Sequence, residues 1–284
     1  MKTEEIMMKF SHAQRPSRLA GTWYSGDPEE LTKEIDAYIH DNVLSEDEFK
    51  GDVFGLIAPH AGHIYSGRTA GYAYRLVSGK QVDVVAVLSP FHQFHRADVI
   101  TTVYDNYTTP LGTVPVSTDL LSQLNERIHM EQIEQDPEHS LEIQLPFLQR
   151  ALHSPFSLLP LMVRTRDSEK LKTIASTLME LLADRSLLII ASTDLSHFHS
   201  LEEAQQLDAE MLRRIKAMDA DAVLSAESDG VASACGASSV ALLLYAAKLQ
   251  NTTRAYILNY STSADATGDS SSVVGYGSAA ILIS

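Results

Sequence analysis

The sequence predicts an α/β fold, a single domain in which a mixed, mainly parallel central sheet is flanked by helices. Short apolar runs alternate along the chain with longer segments in which apolar residues recur at helical spacing, as is typical of βαβ units. The run from Val82 to Leu88 is almost continuously apolar, as expected where helices cover both faces of a strand. No linker-like or repetitive stretch divides the 284 residues. Residues 1–284 are therefore predicted to form one domain, with residues 1–15 as a flexible N-terminal extension.

Six strands are predicted from apolar, β-branched runs bounded by polar or turn-forming residues. They are Val53–Ala58, Val82–Leu88, Ser157–Val163, Leu187–Ala191, Ala255–Asn259 and Val273–Ile283.

Six helices are predicted between these strands from the helical spacing of apolar residues and from signals at the helix starts. Asp27 can cap the first helix, and Pro28 suits its first position. Asp167 can cap another helix in the same way. The predicted helices are Pro28–Val43, Ser117–Ile128, Leu141–Leu152, Ser168–Ala183, Leu201–Met218 and Ala237–Leu249.

Composition and charge exclude several classes of protein. Hydrophobic residues make up 44% of the chain and charged residues 21%, close to the globular average. The formal net charge of −15 argues against a nucleic-acid or anionic-membrane partner, since both require a basic face. Cys235 is the single cysteine, so a disulfide-stapled fold is excluded and a reducing compartment is expected. The sequence has neither a transmembrane run nor the apolar core of a signal peptide. A cytoplasmic location is expected.

Polar residues follow three predicted strands where each strand ends. His60 and His92 follow the first two, and Asp194 and His197 follow a third. Cys235 lies just before an apolar helix. Ligands of open α/β sheets bind beyond the carboxyl ends of the strands. The two imidazoles and the thiol could therefore meet in one crevice and hold zinc, copper or iron.

Each of these residues also has a purely structural interpretation. A histidine that ends a buried strand often bonds to a carbonyl, and a lone cysteine is usually a small buried apolar residue. Asp194 and His197 are three residues apart, so a helical turn would place them on one face as an acid/base pair, or one of them could cap a helix. His139 and Glu142 repeat this spacing, and there the alternative is again capping. The residues alone support a metal or acid/base crevice and no more.

Ordered motifs along almost the whole chain resemble the Memo family, whose bacterial and archaeal members are called AmmeMemoRadiSam system protein B. The motifs are Ala20-Gly21-Thr22-Trp23-Tyr24-Ser25, Ile57-Ala58-Pro59-His60-Ala61-Gly62, Tyr65-Ser66-Gly67, Thr109-Pro110-Leu111-Gly112, Glu138-His139-Ser140-Leu141-Glu142-Ile143-Gln144-Leu145-Pro146-Phe147, Ser192-Thr193-Asp194-Leu195-Ser196-His197, Ala234-Cys235-Gly236 and Leu258-Asn259-Tyr260.

The resemblance implies a fold and a ligand set. The Memo family is similar in fold to class III extradiol dioxygenases (the LigB-like fold), which are non-haem iron enzymes with two histidines and one carboxylate. The resemblance implies that His60 and His92 bind a metal ion and that Cys235 is the third ligand. A thiolate is softer than a carboxylate and favours copper or zinc, which argues against ring cleavage.

The resemblance also implies roles for the other polar residues. Asp194 and His197 match pocket residues of the family, with the histidine as an acid/base, while His139 and Glu142 are placed at the pocket wall. The motif after the second strand departs from the family pattern Gly-Pro-Ser-His-His, because Gln93 follows His92. His95 could replace the missing histidine only if this loop folds back.

Three functions are compatible with these residues. The first is a metal-dependent oxidoreductase on an unidentified small molecule, in which His197, oriented by Asp194, moves a proton. The second is a non-catalytic adaptor that binds a metal or a peptide. For such an adaptor the resemblance implies AMMECR-type and radical SAM protein partners. The third is a hydrolase with Cys235 as nucleophile, which is ranked last because no local hydrolase signature accompanies the cysteine.

Overall fold

The structure is a computed structural model that describes residues 8–11, 13–44, 49, 51–250 and 253–283. The strands are β1 Gln14–Arg15, β2 Asp52–Ala58, β3 Val84–Ser89, β4 Val99–Thr102, β5 Asn106–Thr109, β6 Gly112–Pro115, β7 Glu131–Ile133, β8 Ser157–Val163, β9 Leu187–Ser192, β10 His197–His199, β11 Thr253–Thr262 and β12 Val273–Ile283. The helices are α1 Pro28–His40, α2 His63–Arg75, α3 Thr118–Asn125, α4 His139–Glu142, α5 Leu145–Ala151, α6 Ser168–Leu181, α7 Leu201–Lys216, α8 Ala220–Ser225, α9 Ala237–Lys248 and α10 Ala264–Thr267.

All six predicted strands are present as β2, β3, β8, β9, β11 and β12, with small shifts at their ends. Five predicted helices are present as α1, α3, α6, α7 and α9. The sixth, Leu141–Leu152, is instead divided into α4 and α5. Pro146 explains the division, because proline has no N–H with which to continue the helical ladder but is tolerated in the first turn of a new helix. The pattern did not predict α2, the short helices α8 and α10, or the short strands β1, β4 to β7 and β10.

The main sheet has the strand order β10-β12-β2-β9-β3-β8-β4-β7, and β11 pairs with the outer side of β12. Strands β2, β9, β3 and β8 form its parallel centre. The prediction of a mixed sheet is confirmed. The prediction that it is mainly parallel is wrong, because four of its described strand pairs are parallel and four are antiparallel. The segment between β11 and β12 is shorter than the dozen or more residues that a parallel crossover requires, so these two strands pair antiparallel.

Helices flank this sheet. Helix α9 packs on β9 and β3, while α2 packs on β12, β11 and β2 and is covered by α1. Every residue from Ala237 to Ala247 is buried, as expected of a helix that is apolar on all sides. Within the described residues, no helix is both long and apolar enough to cross a membrane.

A second, three-stranded sheet brings the N-terminal segment into the fold. Strand β1 pairs in parallel with β5, which pairs with β6. Arg15 is 1% exposed, so Gln14 and Arg15 belong to the folded domain rather than to an extension. Of the predicted extension, residues 1–7 and 12 lie outside the described residues.

The parallel centre decides where functional side chains can meet. In register, Ala58 at the end of β2 lies beside Ser192 at the end of β9. Leu88 of β3 lies beside Ala191 of β9, and Ser89 lies beside Met162 of β8. These strands therefore end at one edge of the sheet, and the loops that follow them converge there.

Candidate metal centre

Three histidines meet at this edge. His60 follows β2, His92 lies in the loop after β3, and His139 is the first residue of α4. One ring nitrogen of each lies within 4.8 Å of one ring nitrogen of each of the others. The ring centroids are 5.3 Å apart for His60 and His92, 5.4 Å for His60 and His139, and 4.5 Å for His92 and His139. We call these three residues the histidine cluster.

The proton position on the His60 ring follows from its hydrogen-bond partner. The Ser192 hydroxyl donates to the Ser140 carbonyl oxygen at 2.7 Å and accepts from Gln144 Nε2 at 2.8 Å. With its proton already used, Ser192 Oγ can only accept from His60 Nδ1, 3.0 Å away. His60 therefore carries its proton on Nδ1 and leaves Nε2 unprotonated, the form in which imidazole binds metals.

Glu138 orients the other two rings. Its carboxylate accepts hydrogen bonds from the backbone N–H of His92 at 2.7 Å and from His92 Nδ1 at 2.8 Å. His139 Nδ1 lies 3.3 Å from the same Oε1 atom. Burial alone would raise the pKa of Glu138, but hydrogen bonds from His92 and from Ser140 N–H lower it to about 2. The ionised carboxylate thus faces Nδ1 of both rings and leaves each Nε2 free.

Burial also keeps His60 and His139 uncharged. The pKa of His60 is well below its usual value because the ring is buried, and neighbouring His139 and His92 lower it further. The pKa of His139 is lowered by burial, although Glu138 opposes the shift. Metals require deprotonated imidazole. At neutral pH these two rings therefore offer lone pairs without first losing a proton.

Cys235 contacts one member of the histidine cluster. Its Sγ lies 3.1 Å from His60 Nε2 and accepts the backbone N–H of Asp194 at 3.2 Å. The group of ligand atoms within 4.8 Å of one another contains His139 and not Cys235. The structure thus places His139, predicted at the pocket wall, beside the two predicted histidine ligands. Desolvation and nearby Asp194 raise the pKa of Cys235, opposite to the shift of an activated nucleophile.

Asp194 and His197 do not form the predicted helical pair. The chain between β9 and β10 is a loop. His197 is the first residue of β10, which pairs with β12, and it lies opposite Val274. Asp194 Oδ1 accepts the backbone N–H of His60 at 2.7 Å, and its Oδ2 lies 3.9 Å from His60 Nε2. Among the described residues, no hydrogen bond joins Asp194 to His197. Burial raises the pKa of Asp194 to about 7 and lowers the pKa of His197.

Glu142 is a buried anchor and not part of the pocket wall. Its carboxylate is fully buried and accepts from Arg15 Nη1 at 2.5 Å, Ser17 Oγ at 3.0 Å, Leu19 N–H at 3.0 Å and Tyr24 Oη at 2.8 Å. These bonds tie the segment from Arg15 to Tyr24 to the end of α4. Because His139 begins α4, Glu142 fixes the helix that carries a member of the histidine cluster.

Sequence reasoning missed Glu138 and Ser192, which orient the rings. The signal for Glu138 was its position directly before His139 in a quoted motif, next to a predicted helix start. Ser192 likewise stands in a quoted motif, directly after a predicted strand, but its partners Ser140 and Gln144 are about fifty residues away in the chain. His95 does not replace the missing second histidine of the loop after β3, because its Nε2 lies 3.7 Å from Glu131 Oε2 and it is outside the histidine cluster.

Known proteins of one family are similar to this chain over nearly its full length. The family model described as "Memo-like protein" matches residues 15–280. A "MEMO1 family protein" of Nitrosopumilus maritimus is 32% identical over 91% of this chain and 96% of its own length. Another, from Archaeoglobus fulgidus, is 34% identical over 92% of this chain and 97% of its own.

The solved structure of an uncharacterised protein from Escherichia coli K12 matches this chain with a TM-score of 0.47 and 12% identity, over 80% of this chain and 99% of that one. This likeness is too low to assign a fold family.

Replacement of Glu142 by alanine tests its role as an anchor. The change leaves buried Arg15 without one of its two carboxylate partners and the Leu19 N–H without an acceptor, and it removes the carboxylate that accepts from the Tyr24 hydroxyl. We expect Glu142→Ala to lower the free energy of unfolding by about 3 kcal/mol, measured by urea denaturation. Glu180→Ala, which removes an exposed ion pair with Arg127, is the control and should change stability little. Equal stability of the two variants would contradict the anchor role.

Proposed function

This chain is a member of the Memo-like protein family, and on that premise we propose that it is a metal-dependent oxidoreductase acting on a small molecule. The observation that carries the proposal is the histidine cluster, in which three ring nitrogens lie within 4.8 Å of one another. The Nδ1 atoms of His60 and His92 are already hydrogen-bonded. Such second partners of ligating histidines orient the rings and strengthen metal binding.

The donor set fits a transition metal. We propose that His60, His92 and His139 supply nitrogen ligands and that Cys235, which contacts His60 Nε2, supplies a sulfur ligand as the family resemblance implies. Imidazole and thiolate together suit iron, copper or zinc. When bound, such an ion supplies a Lewis-acid or redox centre. From the family resemblance we further propose that the fold is class III extradiol dioxygenase-like (LigB-like); the position of this set beyond the carboxyl ends of parallel strands is compatible with it.

Two further side chains of the protein are placed to move protons. Asp194, with a pKa of about 7, can hold or release a proton at Oδ2, 3.9 Å from His60 Nε2. His197 lines a cavity of about 240 Å³ together with Cys235 and Arg166. Its lowered pKa leaves the imidazole neutral and able to accept a proton from a molecule in this cavity. We therefore assign His197 as the general base, acting without orientation by Asp194.

Oxygen consumption tests the oxidoreductase function. Protein reconstituted anaerobically with ferrous iron, and separately with copper, is exposed to air in the presence of catechols and related phenols. We expect metal-dependent oxygen uptake that falls at least about a hundredfold in His60→Ala. A His197→Gln variant should retain metal and lose turnover. A wild-type protein that binds metal but consumes no oxygen with these compounds would contradict the oxidoreductase proposal and favour a binding function.

The role of Glu138 is testable through metal affinity alone. Glu138→Gln keeps the shape of the side chain but removes the charge that faces Nδ1 of His92 and His139. Loss of such a partner typically weakens metal binding about 10- to 100-fold. Competition with a chromophoric chelator measures this change, and Glu131→Gln, which alters a more exposed carboxylate near His95, is the control. Unchanged metal affinity in Glu138→Gln would show that the carboxylate does not support the site.

A further inference from the structure

A second cavity lies beside the histidine cluster. It has a volume of about 140 Å³, and its lining includes Arg164, Arg166, Cys235 and Ser238. The cavity is formed where β3 and β8 end and α9 begins. Cys235 belongs to its lining and also contacts His60. A molecule that occupies this cavity is therefore adjacent to the histidine cluster.

The start of α9 presents unsatisfied hydrogen-bond donors to this cavity. The N-cap residue Gly236 has no side chain with which to cap the twelve-residue helix. Within the described part of the chain, the N–H groups of Ser238 and Ser239 have no acceptor. A helix N-terminus with free N–H groups favours an anion.

Ser238 is an independent indication of a ligand. Its side chain lines the cavity although the residue is only 7% exposed. Among the described residues, its hydroxyl has no hydrogen-bond partner. The hydroxyl of this largely buried residue faces the cavity and is free to bind a polar group of a molecule there.

The net positive charge around the cavity favours binding of an anion. Arg164 donates to the Gln93 carbonyl oxygen at 2.9 Å, and in the described residues no carboxylate forms an ion pair with it. Arg166 pairs with Glu227, and both side chains are about half exposed. Two arginines and one glutamate leave this wall positive, whereas the whole chain carries a net charge of −15.

We infer that this cavity binds the anionic group, a carboxylate or a phosphate, of the molecule that reacts at the histidine cluster. The link to reaction rests on the proposed function, whereas binding of the anion does not. Arg164 and Arg166 supply charged donors, and Ser238 with the first N–H groups of α9 supplies neutral ones. The substrate class is then a small organic acid or phosphate ester, held so that its remaining part extends past Cys235.

Titration of metal-free protein with inorganic phosphate and with succinate tests this inference. At low ionic strength, calorimetry should show saturable binding of at least one of them. Arg164→Gln should weaken it about tenfold, the usual effect of losing one charge-assisted hydrogen bond, and Ser238→Ala severalfold. Arg185→Gln removes the same charge just before β9, at the opposite edge of the sheet, and should bind like wild type. Tighter phosphate binding indicates a phosphate ester, and tighter succinate binding a carboxylic acid.

Two results would overturn the inference. One is wild-type protein that binds neither anion, and the other is Arg164→Gln protein that binds them as wild type does. Uptake of zinc by the same variants, measured separately after reconstitution, distinguishes this inference from the proposed function. Anion binding that depends on Arg164 in a protein that takes up no zinc would support the cavity and contradict the metal centre.

Discussion

The geometry of the candidate centre depends most on one buried carboxylate. Glu138 accepts three hydrogen bonds, from the backbone and ring of His92 and from Ser140 N–H. These bonds join the loop after β3 to the start of α4, which are separate in sequence, and they set the orientation of the His92 ring, while His139 Nδ1 lies 3.3 Å from the same carboxylate. Because the charge is 2% exposed, it is stable only while these donors surround it. The hydrogen bonds to Glu138 therefore both stabilise this part of the fold and hold the His92 ring in position.

His60 is oriented by neutral hydrogen bonds, whereas His92 and His139 face the charged carboxylate of Glu138. Gln144 donates to Ser192 Oγ and to the Pro59 carbonyl, while its own carbonyl accepts from Tyr74 Oη. Because the Ser192 hydroxyl already donates its proton to the Ser140 carbonyl, its hydrogen bond with His60 Nδ1 must have the imidazole as the donor. A fully satisfied buried network of this kind fixes one arrangement of its members. The site thus has rings held in place before any ion arrives, which lowers the cost of binding.

The sequence predicted the central strands well, because continuous apolar runs are a strong local signal, and it placed His60 and His92 at the correct edge. It did not predict that β12 would pair antiparallel with both of its long neighbours. The short segment between β11 and β12 was a signal for the first pairing, whereas β2 and β12 lie far apart in the chain and no local signal marks their pairing. The three-residue spacing of Asp194 and His197 suggested a helix, but that segment is a loop leading to β10. Glu138 lies 46 residues from His92, and Cys235 lies 175 residues from His60. Local periodicity carries no information about such contacts.

X-ray absorption spectroscopy of zinc-substituted protein tests the metal centre most directly, because it counts ligands without requiring turnover. We expect three imidazole nitrogens at about 2.0–2.1 Å from the ion, with a sulfur at about 2.3 Å. In His139→Ala one nitrogen should be lost, and in Cys235→Ser the sulfur. A wild-type spectrum without imidazole scattering, or a nitrogen count that does not change in His139→Ala, would contradict the assignment of the histidine cluster as the site of metal binding.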